Sequence, residues 1–235
     1  MSRTLVTLIT PPVAEPDALA PLLAAATEAG EVAAVILPLV PADERTLVRR
    51  VKALAPIAQA GNAALVIALA GPPPAGLDLA TVATRGGADG VHAASLAEAR
   101  DLRERLGTER IVGIGALRTR HDAMSAGEIG VDFLLFGEPR ADGSLPPLAS
   151  VIERAGWWAE IFETPCVAFA PSLDDVETLA RTGAEFVGLG EAVLAAPDGP
   201  RAAMARASAS LERIAEERAA AEAQARRAAS PESGR

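Results

Sequence analysis

The sequence predicts an α/β protein built as a single closed (β/α)₈ barrel, or TIM barrel, with a C-terminal helical extension. Short apolar runs alternate with segments of helical length as far as about residue 193, and eight such runs occur. Eight strands, each followed by a helix, is the number that closes such a barrel. An open doubly wound sheet alternates in the same way, but it typically has fewer strands and a glycine-rich first turn. The first turn here, TPPVAEPDA, has no glycine.

The eight apolar runs are brief and rich in Val, Ile, Leu or Phe, as expected for strands buried on both faces of a parallel sheet. In chain order they span residues 4–10, 32–38, 63–69, 89–93, 110–115, 132–137, 166–170 and 185–190. Two of the intervening helical segments begin with capping patterns, Ser95 with Glu98 and Ser172 with Asp175.

One phrase, glycine then a small residue, an acid and an apolar run, occurs three times, at residues 87–89, 130–132 and 183–185. We interpret the glycine of each copy as the residue that ends a helix, since glycine favours that position. The apolar run that follows is then the next strand. The three copies are therefore three turns of one winding.

The barrel is expected over residues 1–200, an Ala-rich helix over 201–229 and a frayed tail over 230–235. The formal net charge of −9 argues against a general nucleic-acid binder. The sequence has no signal-peptide pattern at its start and no run of about 18 apolar residues, so we expect a cytoplasmic protein with no membrane partner.

Several classes of chemistry lack the residues they need. A single cysteine, Cys166, excludes a disulfide framework and a multi-cysteine metal site, and we interpret it as an inert core thiol. There is no tyrosine, and the single lysine, Lys52, falls in an amphipathic helix. The sequence therefore offers no good lysine for Schiff-base chemistry.

Functional groups of such barrels lie where the strands end. The first three predicted strands end in residues 10–12, 38–41 and 70–74, which carry almost no functional side chains. His92 ends the fourth strand, where an imidazole could act as acid or base, and Glu191 follows the eighth. Alternatively, His92 is a structural residue bonded to a neighbouring loop. His92 and Glu191 are the candidate catalytic residues.

Arg118 and Arg140 follow the fifth and sixth strands and could form an anion pocket, because guanidinium groups match phosphate and carboxylate geometry. The equally open alternative is that they form salt bridges to Glu138, Asp142 and Glu191.

Three further residues are candidate phosphate-binding positions. Ser172 is most simply a helix N-cap, although the helix N-terminus there could accept an anion. Gly188 and Gly190 would let a ligand approach the backbone closely. Trp157 and Trp158 lie on the helix before the seventh strand, where a core or subunit contact is the favoured interpretation. A homodimer through that helix or through the C-terminal helix is one such contact.

Four blocks, GADGVHAAS, RIVGIGALRT, GVDFLLFGEP and TPCVAFAPSLDDVETLARTGAEFVGLGEAV, resemble successive parts of the thiamine phosphate synthase and TenI-type thiazole tautomerase family. The resemblance covers about residues 30–195. It implies a (β/α)₈ barrel and a role related to thiamine biosynthesis. Synthases of this family join a pyrimidine pyrophosphate to a thiazole phosphate with Mg²⁺ and release pyrophosphate.

The resemblance is good for framework positions and poor for the family's working residues. The stretches ILPLVPAD and ALAGPPPAG stand where the family has its diphosphate-gripping cations and an Asn-Asp pair. Near the family's second metal ligand this chain has alanine, with Glu98 one residue beyond. EPRADGS replaces a Thr-x-Thr-Lys segment, and Ala170-Pro171 and Glu191 replace a Gly-Gly pair and a serine. The tautomerase histidine falls near Leu117 or Arg118.

Magnesium needs oxygen ligands, and pyrophosphate needs cations or a metal. We therefore expect no metal ligands and no cofactor. The sequence predicts a diverged member of the family that acts as a binding or regulatory protein, with a small phosphorylated ligand as its partner. The alternative is an active enzyme on such a ligand, a synthase-like transferase or an isomerase.

Overall fold

The computed structural model describes residues 3–140 and 142–229 and shows a closed barrel of eight parallel strands. The strands are β1 (Leu5–Ile9), β2 (Val32–Leu39), β3 (Ala64–Leu69), β4 (Gly90–Ala93), β5 (Ile111–Ile114), β6 (Phe133–Phe136), β7 (Cys166–Phe169) and β8 (Phe186–Leu189). Each strand pairs with the next in the chain, and β8 pairs with β1, with Leu5 opposite Phe186. The predicted barrel is thus confirmed and the open sheet is wrong. Seven strands lie within their predicted runs, and β2 continues one residue further.

Helices follow the strands in alternation. They are α1 (Pro16–Thr27), α2 (Glu44–Ala60), α3 (Leu79–Gly86), α4 (Leu96–Leu106), α5 (Arg120–Ile129), α6 (Leu148–Ile161), α7 (Val176–Ala180), α8 (Glu191–Leu194) and α9 (Pro200–Ala229). A short 3₁₀ turn, Leu173–Asp175, precedes α7. Among the described residues, no helix is both long and apolar enough to cross a bilayer.

The apolar side chains form two separate clusters because successive strand residues point to opposite faces of the sheet. The larger cluster fills the layer between strands and helices and includes Trp158 and Cys166, both fully buried. The smaller cluster fills the inside of the barrel, with Ile36, Val66, Ala68, Phe133, Leu135, Val167 and Phe169. The interpretation of Cys166 and Trp158 as core residues is consistent with this placement.

The three repeated phrases hold the amino end of the barrel together. Gly87 and Gly130 end α3 and α5 in the left-handed conformation, as predicted. The acid of each copy accepts a hydrogen bond from a backbone N–H of the preceding strand: Leu65 to Asp89 at 2.7 Å, Val112 to Asp132 at 2.7 Å and Cys166 to Glu185 at 3.0 Å. Each copy thus links two neighbouring strands, a role that the sequence analysis did not identify.

The predicted C-terminal helix is α9. Its first half packs against α1, α7 and α8 and buries Ala203, Met204, Ala207, Leu211 and Ile214. Residues 221–226 are all exposed, so this helix is part of the barrel at its start and a projection near its end. The predicted tail, residues 230–235, lies outside the described residues.

Candidate functional site

A cavity of about 470 Å³ opens at the carboxyl ends of β5 and β6, and we call it the rim cavity. Four charged side chains line it: Arg118 from the loop after β5, Glu138 and Arg140 from the loop after β6, and Arg154 from α6. Leu117, Gly137 and several prolines complete the wall. Three guanidinium groups and one carboxyl group therefore share one concave surface.

The loop after β5 is held in a specific shape. Thr119 caps α5, its hydroxyl accepting from the Asp122 N–H at 3.0 Å while the Asp122 carboxylate accepts from the Thr119 N–H at 2.9 Å. Ala116, at the start of the loop, has φ = +55°, in the left-handed region that costs a residue with a Cβ about 1 kcal/mol or more. Its N–H donates to Glu138 Oε1. Strain of this kind is concentrated at functional sites.

Glu138 lies over the end of β5 because Gly115 has no side chain. A Cβ at Gly115 would overlap Glu138 Oε1 and would lie 2.8 Å from His92 Nε2. The carboxyl group and the imidazole thus border the same small space. Burial raises the pKa of Glu138, although hydrogen bonds from the backbone and the charge of Arg154 oppose the shift.

His92 faces the inside of the barrel from β4, where its ring contacts the inner cluster. Its ring stacks on Phe133 with centroids 5.6 Å apart and planes 20° from parallel. Its Nδ1 is buried and has no hydrogen-bond partner in the described part of the chain. Burial lowers its pKa from 6.5 to about 4, so the imidazole is neutral at pH 7. The alternative was a structural histidine that is hydrogen-bonded to a neighbouring loop. The Nδ1 atom forms no such bond with the described residues.

The predicted pair Arg118 and Arg140 both line the rim cavity. The Arg118 side chain forms no hydrogen bond or ion pair with any residue of ranges 3–140 and 142–229, and Arg140 donates only to Ser144 Oγ, at 3.3 Å. Neither forms an ion pair with a described carboxylate. The alternative of salt bridges is supported only at Asp142. Hydrogen bonds from the Ser144 hydroxyl and N–H are the main cause of the lowered pKa of Asp142, and the positive charge of Arg140 lowers that pKa further.

Arg154 is a third cation of the rim cavity that the sequence analysis missed. It lies on α6 and its Nη1 donates to the carbonyl of Leu117 at 2.8 Å, while its Nε donates to the carbonyl of Ser150 at 3.2 Å. Its guanidinium carbon also lies 6.0 Å from the centre of the Phe136 ring. These contacts fix the side chain beside the cavity.

The remaining four predicted site residues do not line the rim cavity. Ser172 forms a capping box with Asp175, its hydroxyl donating to that carboxylate at 2.8 Å. Protein atoms already approach the two glycines: a Cβ at Gly188 would lie 3.0 Å from Val167 Cγ1, and one at Gly190 would lie 3.1 Å from the Ile9 carbonyl oxygen. Glu191 is exposed at the start of α8.

Two carboxylates near the carboxyl end of the barrel, those of Glu98 and Asp78, accept hydrogen bonds from backbone N–H groups at helix starts. Glu98 Oε2 accepts from the Ala94 N–H at 2.8 Å, so this carboxylate caps α4. Asp78 caps α3, accepting from the Ala80 N–H at 3.0 Å, and pairs with Arg105 at 2.5 Å. Within the described ranges no group of three or more His, Cys, Asp or Glu residues is placed to hold a metal ion. Magnesium in phosphate-transfer sites is typically held by one or two carboxylates together with waters and substrate phosphates.

The family model and the sequence relatives indicate one family. The family model described as thiamine monophosphate synthase matches residues 6–193. A thiamine-phosphate synthase of Rhodospirillum centenum is 37% identical over 201 residues, which is 84% of this chain and 93% of that protein. One of Hyphomonas neptunium is 30% identical over 91% of this chain and 96% of that protein. The solved thiamine phosphate pyrophosphorylase of Pyrococcus furiosus shares the fold, with a TM-score of 0.69 at 20% identity, over 89% of this chain and 96% of that one.

Proposed function

This chain belongs to the thiamine monophosphate synthase family, and we propose that it binds a small phosphorylated ligand at the rim cavity without carrying out a magnesium–diphosphate reaction. The observation that carries the proposal is the set of three arginines around one cavity, of which Arg118 has no partner among the described residues. Arginine binds phosphate through paired N–H groups. A cavity of about 470 Å³ has the size of a small-molecule site.

The arrangement of the other strand ends supports the second half of the proposal. The loops after β1, β2 and β3 are rich in proline, glycine and aliphatic residues and contain no lysine or arginine, and the carboxylates of Asp78 and Glu98 accept hydrogen bonds at helix starts. Diphosphate chemistry needs concentrated positive charge, from a metal or from cations, where the leaving group departs. The three arginines of the rim cavity lie instead beside β5 and β6, while Arg50 of α2 donates to the carbonyl of Val40 in the loop after β2 at 2.7 Å.

An active synthase is the second candidate function, and a specific observation favours it. The Rhodospirillum centenum protein, which is called a thiamine-phosphate synthase, matches over 93% of its own length at 37% identity. Homodimer formation and a cytoplasmic location stay predictions of the sequence.

The test measures binding and catalysis on the same purified protein. Titration calorimetry with a thiazole phosphate and with thiamine phosphate gives affinities for the wild type and for the double variant Arg118→Ala/Arg140→Ala. Losing charge-assisted hydrogen bonds should weaken binding by about tenfold or more. The matched control is Arg120→Ala: Arg120 pairs with Glu153 at 2.8 Å and lies 4.8 Å from the Trp157 ring, outside the cavity.

The catalytic half of the test follows pyrophosphate release with Mg²⁺, pyrimidine pyrophosphate and thiazole phosphate together. We expect binding that depends on Arg118 and Arg140 and no pyrophosphate release above background. Turnover that requires both substrates would establish the second candidate and overturn the proposal. Equal affinities for the double variant and the Arg120→Ala control would show that the rim cavity is not the binding site.

A further inference from the structure

Glu138 is the one acidic side chain that lines the rim cavity in the described part of the chain, and it is held by specific contacts. Its Oε1 accepts the Ala116 N–H, and its carboxyl group lies directly over Gly115. The Nε2 atom of His92 borders the same space over Gly115. The Glu138 side chain therefore belongs both to the wall of the arginine-lined cavity and to the space beside His92, and the bond from the Ala116 N–H holds it there.

The charges around Glu138 come from four elements. Arg154 acts on it from α6, where its positive charge opposes the rise in the pKa of Glu138, while Arg118, from the loop after β5, and Arg140, from the loop after β6 with Asp142 next to it, line the same cavity. His92 faces it from β4. An oxyanion that binds the arginines would meet an ionised carboxylate at close range in a partly desolvated site. Like charges in such a site strongly disfavour the ionised form of the carboxyl group.

We infer that oxyanion binding in the rim cavity is coupled to proton uptake by Glu138, which makes Glu138 a specificity-determining residue of this site. The inference rests on the proposed function, because it needs the arginines to bind an anion. The neutral carboxyl group offers one O–H donor, and a phosphate ester or another oxyanion accepts it. The site therefore selects ligands that accept hydrogen bonds from both guanidinium groups and a carboxylic acid.

The electrostatics of the free protein favour this coupling. Burial raises the pKa of Glu138, the same direction in which a bound anion shifts it. His92 contributes no compensating positive charge at neutral pH, because burial lowers its pKa to about 4. The bound anion raises the pKa of Glu138 further. Below the free-state pKa the carboxyl group is already protonated, and the affinity is constant.

Above that pKa, each anion bound takes up one proton. The affinity then falls by about tenfold per pH unit until the pKa of the complex is passed. The direction is thus a loss of anion affinity as the pH rises. The Asp142 carboxylate does not produce this profile, since hydrogen bonds from Ser144 and the charge of Arg140 lower its pKa and keep it ionised throughout.

The experiment titrates the full chain with sulfate between pH 5 and pH 8.5 at constant ionic strength. Sulfate is the probe because it stays a dianion over this range, so any change in affinity belongs to the protein. The variants are Glu138→Gln, which can still accept the Ala116 N–H, and the control His121→Gln, which removes an exposed imidazole of α5. Calorimetry in two buffers of different ionisation enthalpy also counts the protons taken up per sulfate, which needs no variant.

We expect wild type and His121→Gln to lose sulfate affinity with rising pH and to take up close to one proton on the falling part of the profile. Glu138→Gln should bind sulfate with an affinity that does not change with pH. Binding with no proton uptake, or a profile that persists in Glu138→Gln, would overturn the coupling. If sulfate fails to bind at any pH, the proposed anion site itself is wrong, which distinguishes the two failures.

Discussion

At the amino ends of β3, β5 and β7, backbone N–H groups donate to carboxylates from the segment before the next strand. At the carboxyl ends of β4 and β5, by contrast, two polar groups have no partner within the described part of the chain. Asp89, Asp132 and Glu185 make the first set of bonds. The buried Nδ1 of His92 and the guanidinium of Arg118 represent the second. Barrels of this class place stabilising groups at the amino face and functional groups at the carboxyl face. The bonds of the repeated acids and the unpaired groups of the rim follow that division, although Arg103 Nε, beside Asp132 at the amino end, is also buried without a partner among the described residues.

The largest effect that would test this comparison is expected at the amino end, from Asp132→Ala. The substitution leaves the buried N–H of Val112 without its acceptor and removes the ion pair between Asp132 and Arg103. An unsatisfied buried donor costs about 1–3 kcal/mol, so the free energy of unfolding should fall by about 2–3 kcal/mol. Chemical denaturation measures the change. Sulfate affinity at the rim should stay the same.

The control for Asp132→Ala is Asp101→Ala, which removes an exposed carboxylate that pairs with Arg105 at 3.0 Å. Exposed ion pairs contribute about 0–1 kcal/mol, so this variant should be close to the wild type. If the two variants lose the same stability, the repeated acids do not hold the amino end together.

Gly115→Ala tests the rim and is expected to have an intermediate effect. The new Cβ would overlap the carboxyl group of Glu138 and crowd His92 Nε2. Overpacking of this kind costs typically 1–3 kcal/mol, and we expect about 1.5 kcal/mol because the Glu138 side chain can move. Movement toward solvent should also lower the pKa of Glu138, which carbon-detected NMR of its carboxyl group measures.

Gly156→Ala is the matched control for Gly115→Ala, since a Cβ there would approach no atom closer than 3.8 Å and the residue lies within α6. It should stabilise the protein by about 0.5–1 kcal/mol, because alanine is the better helix former. A Gly115→Ala variant with unchanged stability and an unchanged pKa for Glu138 would show that the carboxyl group does not occupy the space over Gly115.

The framework was more predictable from the sequence than the rim, for a physical reason. Strand positions follow from the local pattern of apolar residues, and the cap glycines follow from local backbone conformation, so both can be read along the chain. The partner of Asp132 is a backbone N–H twenty positions earlier, which pairing of the strands creates. Recurrence of the acid at the same place in three copies was the signal that could have revealed this role.

The candidate site was predicted in part. Arg118 and Arg140 follow β5 and β6, and functional residues of barrels are expected at such strand ends. Both side chains line the rim cavity. Arg154 lies within α6 and reaches the rim only because its side chain extends to the carbonyl of Leu117. The sequence suggested Glu138 only as a salt-bridge partner, since its desolvation depends on the bare backbone of Gly115. Contacts between separate loops are tertiary and leave no local pattern.

The smallest expected effect is that of Ala116→Gly, which tests whether the left-handed conformation of Ala116 destabilises the protein. Ala116→Gly removes the cost of a Cβ at φ = +55°, while glycine adds conformational entropy to the unfolded chain. The balance should stabilise the protein by about 0.5 kcal/mol, measured by chemical denaturation. Ala195→Gly is the control, because Ala195 has φ = −108° and the same change there should destabilise by up to about 1 kcal/mol. Equal losses from both variants would mean that the carboxyl end stores no strain at Ala116, and the contrast between the two ends would then rest on unpaired polar groups alone.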